Sequence, residues 1–259
     1  GITMCFANAG IPVTVLEMNQ EALDKGLGVI RRNYDIQVSR GRMSEADVDK
    51  RMALITGTTS YDDLGDADVV IEAVYENLDV KKEVFAKFEQ VMKPGAIIAS
   101  NTSGLDIDAM ANVTSRPGDV IGLHFFSPAN VMRLLEVVRG EKTDKTTIAT
   151  AMQLGKKLGK VAVLSGNAPG FIGNRMLAGY TRQAGEIILQ GATPYQVDKV
   201  IQEFGMPMGP FQMADLVGLD LGWRARKLSG MKPEDVPITA RVADKLCELE
   251  RFGQKTNRG

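Results

Sequence analysis

"DVVIEAVYENLDVKKEVFAKFEQVMKPGAIIAS", residues 68–100, decides the fold. It opens on a valine- and isoleucine-rich run, DVVIEAV (68–74). Val80, Val84, Phe88 and Val91 then recur at helical spacing, and a second short apolar run, AIIAS (96–100), closes the stretch. The spacing predicts a buried strand, a helix presenting those four residues on one face, and a second strand. Strand, helix and strand within about thirty residues make a crossover unit, whose two strands run parallel.

The alternation continues on both sides. Upstream, GITMCFANAG (1–10) reads as a helix closing at Gly10, and IPVTVLE (11–17) as a strand ending in Glu17. A long helix over 19–41 follows with Asn19 as its N-cap, and Ser44 with Asp47 opens another through SEADVDKRMALI (44–55). Downstream, DIDAMANV (106–113) is a short helix, DVIGLHFF (119–126) and RLLEVVRG (133–140) are strands, KTTIATAMQLGKKLG (145–159) is a helix and KVAVLS (160–165) a last strand. Beyond residue 166 only helical periods remain, in 168–191, 193–205, 209–223 and 238–253. The expected architecture is α/β: a doubly wound parallel sheet over 1–166 and an all-helical second domain over 167–259.

Composition narrows the function classes. A net charge of −1 lacks the basic excess of a nucleic-acid binder. Cys5 and Cys247 lie far apart, and with a single histidine they offer no metal-ligand spacing, so no metal is expected. No apolar run reaches the roughly 18 residues of a membrane span. Thirteen methionines without a disulfide framework fit a reducing compartment such as the cytoplasm.

In a Rossmann-type domain the chain opens as strand, glycine-rich turn, helix, strand and acidic residue. Here the first strand and turn are expected to be missing, with Gly1-Ile2 starting the helix after them. Glu17, at the end of the second strand, would accept hydrogen bonds from an adenosine ribose and repel a 2′-phosphate, favouring NAD over NADP. Ligands of open α/β sheets bind beyond the carboxyl ends of the strands. SNTSGL (100–105) places Asn101, Thr102 and Ser103 at such an end, with plain helix capping as the competing explanation. The chain's only histidine, His124, stands near another strand end. Glu136, in LLEVV on the next strand, should be buried and in need of a partner, for which the sole imidazole is a natural choice. Together they supply an alcohol oxidation: an imidazole takes the hydroxyl proton while hydride leaves for nicotinamide, and the carboxylate orients the imidazole.

VVIEAVYENLDVKKEVF (69–85), SNTSGLDI (100–107), GLHFFSPANVMRLLEVV (122–138), APGFIGNRM (168–176) and GMPMGPFQMADLVGLD (205–220) resemble the 3-hydroxyacyl-CoA dehydrogenase family nearly end to end. The resemblance implies NAD-dependent oxidation of (S)-3-hydroxyacyl-CoA to 3-oxoacyl-CoA in fatty-acid β-oxidation. It makes His124 the base and Glu136 its partner, gives Ser103 and Asn174 the substrate's reacting oxygen, and sets the site in an interdomain cleft. On the cofactor side it points to Glu17, Glu76, Lys81, Asn101 and Ser103. For coenzyme A it points to Asn33 and Arg40, with Arg42 nearby, although the residue types there depart from the family's commoner choices. Gly104 stands where a second serine is common. The chain looks cut at both ends, and GLDLGWRARK (218–227) is similar to the dehydrogenase part of multifunctional fatty-acid oxidation proteins, so either a homodimer or a larger multifunctional chain is implied. Two rivals stand beside this reading: an NAD-dependent dehydrogenase of a small 3-hydroxy acid, which would use a lysine base, and a catalytically silent binding or assembly module.

Overall fold

The computed structural model describes residues 1–228 and 230–259 and divides them into two units, Gly1–Ile172 and Gly173–Gly259. The first unit begins with α1 (Ile2–Asn8), which ends before Gly10 at φ +73°, and leads into β1 (Val13–Leu16). Asn19 caps α2 (Gln20–Ser39) by accepting from the Ala22 amide, and Ser44 and Asp47 close a reciprocal capping box on α3 (Glu45–Met52). The predicted second helix is too long at its end: Ile55 leaves it and, with the residues through Thr58, forms β2, parallel to β1. Val13 pairing with Ile55 captures the β-branched residues that follow the helix.

β3 (Val69–Glu72), β4 (Ile97–Ser100), β5 (Val120–Phe125), β6 (Leu134–Arg139) and β7 (Val161–Gly166) form a second sheet in that order. Its pairs are parallel except β5 with β6, which is antiparallel. The link between those two strands, residues 126–133, is too short for the dozen or so residues that a crossover needs, so the chain must turn back. The doubly wound sheet is therefore parallel-dominated with a single reversal, and β6 and β7 both run opposite to β3, β4 and β5. Among the described residues no strand pairs β1 with β3. On that side β3 has no neighbour, and Val69, Val70 and Ile71 are only half-buried where the sequence suggested a fully buried strand.

Alternation along the strands fills two cores. Ile98, Val120 and Val138 face α4 (Leu78–Val91), α5 (Ile107–Ala111) and Phe171, whereas Ala99, Ile121, Leu123, Leu135 and Val137 face Cys5 of α1 and Ala151 of α6 (Lys145–Lys157). The buried face of α4 runs through Lys81, Val84, Phe85 and Phe88, so the predicted face was rotated: Val80 is exposed.

The second unit holds α7 (Gly173–Leu189), α8 (Pro194–Phe204), α9 (Pro210–Val217), α10 (Asp220–Leu228) and α11 (Ile238–Glu248). The helical run expected over 209–223 is two helices, because Gly218 at φ +107° turns the chain between α9 and α10. Asp198 of α8 caps α9 from outside, accepting from the Phe211 and Gln212 amides at 2.9 and 2.8 Å.

Gly122 is required by the close approach of β5 to its neighbours: a Cβ there would lie 2.7 Å from Val138 Cβ and 3.0 Å from Ile107 Cδ1. Gly122→Ala should destabilise the protein by about 1–3 kcal/mol, the usual cost of overpacking. Urea unfolding measures it, and an unchanged midpoint would contradict the packing described.

Candidate active site

The register of β5 and β6 sets His124 directly opposite Glu136. Residues paired across an antiparallel ladder point to the same face of the sheet. His124 Nδ1 lies 2.6 Å from Glu136 Oε2, and the two residues are 6% and 1% exposed, so water does not compete for this contact. Glu136 Oε1 accepts from the Ile172 amide at 2.9 Å, which engages both oxygens and fixes the carboxylate plane. That amide is aimed by Phe171, which holds φ +48°, a left-handed conformation that costs a bulky residue of the order of 1–3 kcal/mol. Phe171 is buried, and its ring and that of Phe126 lie 5.8 and 4.3 Å from the imidazole centroid.

SNTSGL follows β4 at the neighbouring strand end. Helix capping does not explain Ser103, because Asp106 caps α5. Glu76, in the loop after β3, instead accepts from Thr102 Oγ1 at 2.6 Å, the Ser103 amide at 2.8 Å and Ser103 Oγ at 3.0 Å. Burial disfavours the Glu76 charge, but these hydrogen bonds and Lys81 outweigh it and hold the carboxyl below the usual carboxylate range. Asn101 Oδ1 accepts from the Phe125 amide at 2.8 Å, tying this loop to the strand that carries His124. His124, Glu136, Asn101, Ser103 and Glu76 therefore cluster at strand ends of one unit.

Lys81 belongs to the same cluster but faces inward. It is 1% exposed, and its ammonium contacts Glu72 at 2.7 Å, Glu76 at 3.2 Å and the Val74 carbonyl at 3.3 Å. Three acceptors use all three of its donors. Glu17 lies just past β1, half-buried, and forms no side-chain hydrogen bond or ion pair among the described residues. Asn33 turns its amide toward Met4 Sδ at 3.8 Å, whereas Arg40 and Arg42 are exposed at the end of α2. Asn174 lies in the first turn of α7, in the second unit. Sequence reasoning overlooked Glu72, Phe171 and the Ile172 amide, and it named Thr102 at the strand end without its contact to Glu76. For Glu72 a signal existed, a lone acid inside the apolar run VVIEAV.

Comparison with known proteins decides the lineage. The model of the 3-hydroxyacyl-CoA dehydrogenase NAD binding domain matches residues 1–168, and that of the C-terminal domain of the same enzymes matches 170–259. The chain belongs to the 3-hydroxyacyl-CoA dehydrogenase family. A peroxisomal bifunctional enzyme of Danio rerio is 45% identical across all of this chain, which spans 37% of that relative's length. The crystal structure of (S)-3-hydroxybutyryl-CoA dehydrogenase from Ralstonia eutropha superposes with a TM-score of 0.89 at 35% identity, covering all of this chain and 92% of the other. The dehydrogenase part of a multifunctional enzyme from C. elegans does so with a TM-score of 0.71 at 32% identity, covering all of this chain and 58% of the other. NAD is the cofactor of the matched domain. The donor set suits it, since Glu17 offers an unpaired carboxylate for ribose hydroxyls and Glu76 is partly open to solvent.

The lowered Glu76 value gives a pH prediction. The folded carboxyl ionises below its unfolded value, so its contribution is complete above the ordinary glutamate range and is lost as pH falls through the lowered folded value. The Ser103 amide proton, bonded to Glu76, should keep its NMR shift from pH 7 down to about 5, above the usual glutamate value of about 4.3. A titration step above pH 5 that disappears in Glu76→Gln would contradict this.

Proposed function

We propose that this chain oxidises the 3-hydroxyl of (S)-3-hydroxyacyl-CoA to the 3-oxo group, in fatty-acid β-oxidation, with His124 as the base. The buried His124–Glu136 contact carries the reading. A carboxylate oxygen 2.6 Å from Nδ1 calls for a proton on that nitrogen and leaves the Nε2 lone pair to accept the substrate's hydroxyl proton. As the imidazole gains charge, Glu136 stabilises it and holds its ring in place, with the Ile172 amide preventing the carboxylate from turning away. Ser103 turns its one hydroxyl proton from Glu76 to the reacting oxygen while its amide keeps the Glu76 contact, and Asn174 keeps the substrate role that the family resemblance gives it. Bound NAD supplies the hydride acceptor. Glu17 would hold its adenosine ribose and Glu76 and Asn101 would be further cofactor contacts, while Lys81 serves by fixing Glu76. Asn33 and Arg40 remain the candidates for coenzyme A, Arg40 being the more accessible.

This chain spans 37% of the Danio rerio relative but 92% of the Ralstonia eutropha enzyme, so the partners on this reading are the acyl-CoA substrate and either a second copy or the other domains of a multifunctional polypeptide. Among the described residues no helix is long and apolar enough to cross a membrane. The compartment proposed is the one that houses fatty-acid oxidation: the peroxisome or mitochondrion of a eukaryote, the cytoplasm of a bacterium. The imidazole–carboxylate pair at the strand ends favours this reading over a small 3-hydroxy acid dehydrogenase with a lysine base. It also favours it over a silent module, which needs no such pair.

Steady-state oxidation of (S)-3-hydroxybutyryl-CoA with NAD tests the proposal. His124→Gln should lower kcat by roughly 10²–10⁴, the usual worth of a positioned base, with little change in substrate affinity. Glu136→Gln should lower it by a smaller factor. Turnover by His124→Gln near the wild-type rate would remove the imidazole from the chemistry.

A further inference from the structure

Glu72 is an acid at the end of a valine-rich strand, with its side chain wholly out of solvent. The β3–β4 register places it beside Ser100, and two chains of contacts leave its carboxylate. From Oε1, the first runs to Lys81 Nζ at 2.7 Å, from Lys81 to Glu76 Oε2 at 3.2 Å, and from Glu76 Oε1 to the Ser103 amide and hydroxyl at 2.8 and 3.0 Å. From Oε2, the second takes the Ser100 hydroxyl at 2.7 Å, and Ser100 Oγ in turn accepts from the Thr102 amide at 3.2 Å. Both chains converge on Thr102–Ser103. The backbone adds a third tie, Asn101 N donating to the Glu72 carbonyl at 2.7 Å.

Every other charge at these strand ends has a role in the reading above, but Glu72 touches neither the imidazole nor the solvent. An acid fully removed from water is costly unless its partners compensate, and an apolar side chain would fill a core position of this kind at lower cost. Lys81 cannot hold Glu76 without it. Half-exposed Glu76 would otherwise be the only carboxylate near a fully buried ammonium, and Lys81 would lose the partner that fixes its direction.

We propose that Glu72 is a positioning residue for the dehydrogenase: through Lys81–Glu76 on one side and Ser100 on the other, it sets where the Ser103 hydroxyl stands. This rests on Ser103 acting as the group that meets the substrate's oxygen. Glu72 itself meets neither substrate nor cofactor.

A double-mutant cycle with an independent structural readout tests the proposal. Glu72→Gln should lower kcat/KM for (S)-3-hydroxybutyryl-CoA by roughly 10- to 100-fold, the scale of a small misplacement of a reacting group. In a Ser103→Ala background the same change should cost much less, because its effect passes through the missing hydroxyl. Equal losses in both backgrounds would overturn the proposal, since a general loss of structure is blind to Ser103. The apo protein gives the second readout, which needs no turnover. The amide proton of Ser103 should move in Glu72→Gln, and a shift that stays in place would also overturn the proposal, whatever the enzyme's activity. If Glu72→Gln does not fold, the paired variant Glu72→Gln/Lys81→Met removes both buried charges while still freeing Glu76. It should show the same displaced Ser103 signal, and a wild-type signal there would overturn the proposal. A wild-type chain without dehydrogenase activity but with a Ser103 amide that responds to Glu72 would sink the functional reading and leave the positioning network intact.

Discussion

The antiparallel pairing of β5 with β6 is the constraint on which the site depends. A parallel neighbour would have needed a crossover, and residues 126–133 leave no room for one. The reversal places His124 opposite Glu136, and the period of two puts both on the face occupied by Val120, Val138 and Gly122. Gly122 matters to the same face, because its missing side chain lets Ile107 and Val138 close in beside the pair. A slip of one residue would turn Glu136 into the opposite core and bring a valine or leucine to the imidazole.

The buried charges of the first unit have a common logic. Glu72, Lys81 and Glu136 are each at most 2% exposed, and each carries at least two polar contacts. Such pairs add little net stability, because desolvation offsets their attraction, whereas removing one partner typically costs about 3–5 kcal/mol. Their value lies in direction. Glu136 orients an imidazole and Glu76 orients a serine, and in both cases a backbone amide helps to hold the carboxylate. Phe171 is part of the same arrangement, since its strained backbone aims the Ile172 amide at Glu136.

Much of this was legible in the sequence. Caps are local, so Asn19 and the Ser44–Asp47 box could be read from residue type and spacing alone. His124 and Glu136 could be linked because a lone imidazole and an acid in an apolar strand each need a partner. The reversal at β6, which β7 follows, could not be read from periodicity, which is the same for parallel and antiparallel strands. β2 was hidden because Leu54 and Ile55 continue the helical period of α3, and only pairing with β1 pulls them out. Lys81 was read as a cofactor ligand from motif resemblance. Its inward direction depends on the rotation of α4, which the valine pattern misplaced by treating exposed Val80 as part of the core face. Convergence on Thr102–Ser103 joins residues from three separate segments, and no local pattern encodes it.

The central claim is that Glu136 holds His124 with the proton on Nδ1 and the lone pair on Nε2. As His124 is the only histidine in the chain, a nitrogen-15 spectrum of the imidazole contains one ring and needs no assignment. At a pH where the ring is neutral, the account predicts a protonated Nδ1 with a strongly deshielded proton, an unprotonated Nε2, and loss of this pattern in Glu136→Gln. A ring protonated on Nε2, or one averaging freely between its two tautomers in the wild-type protein, would contradict it.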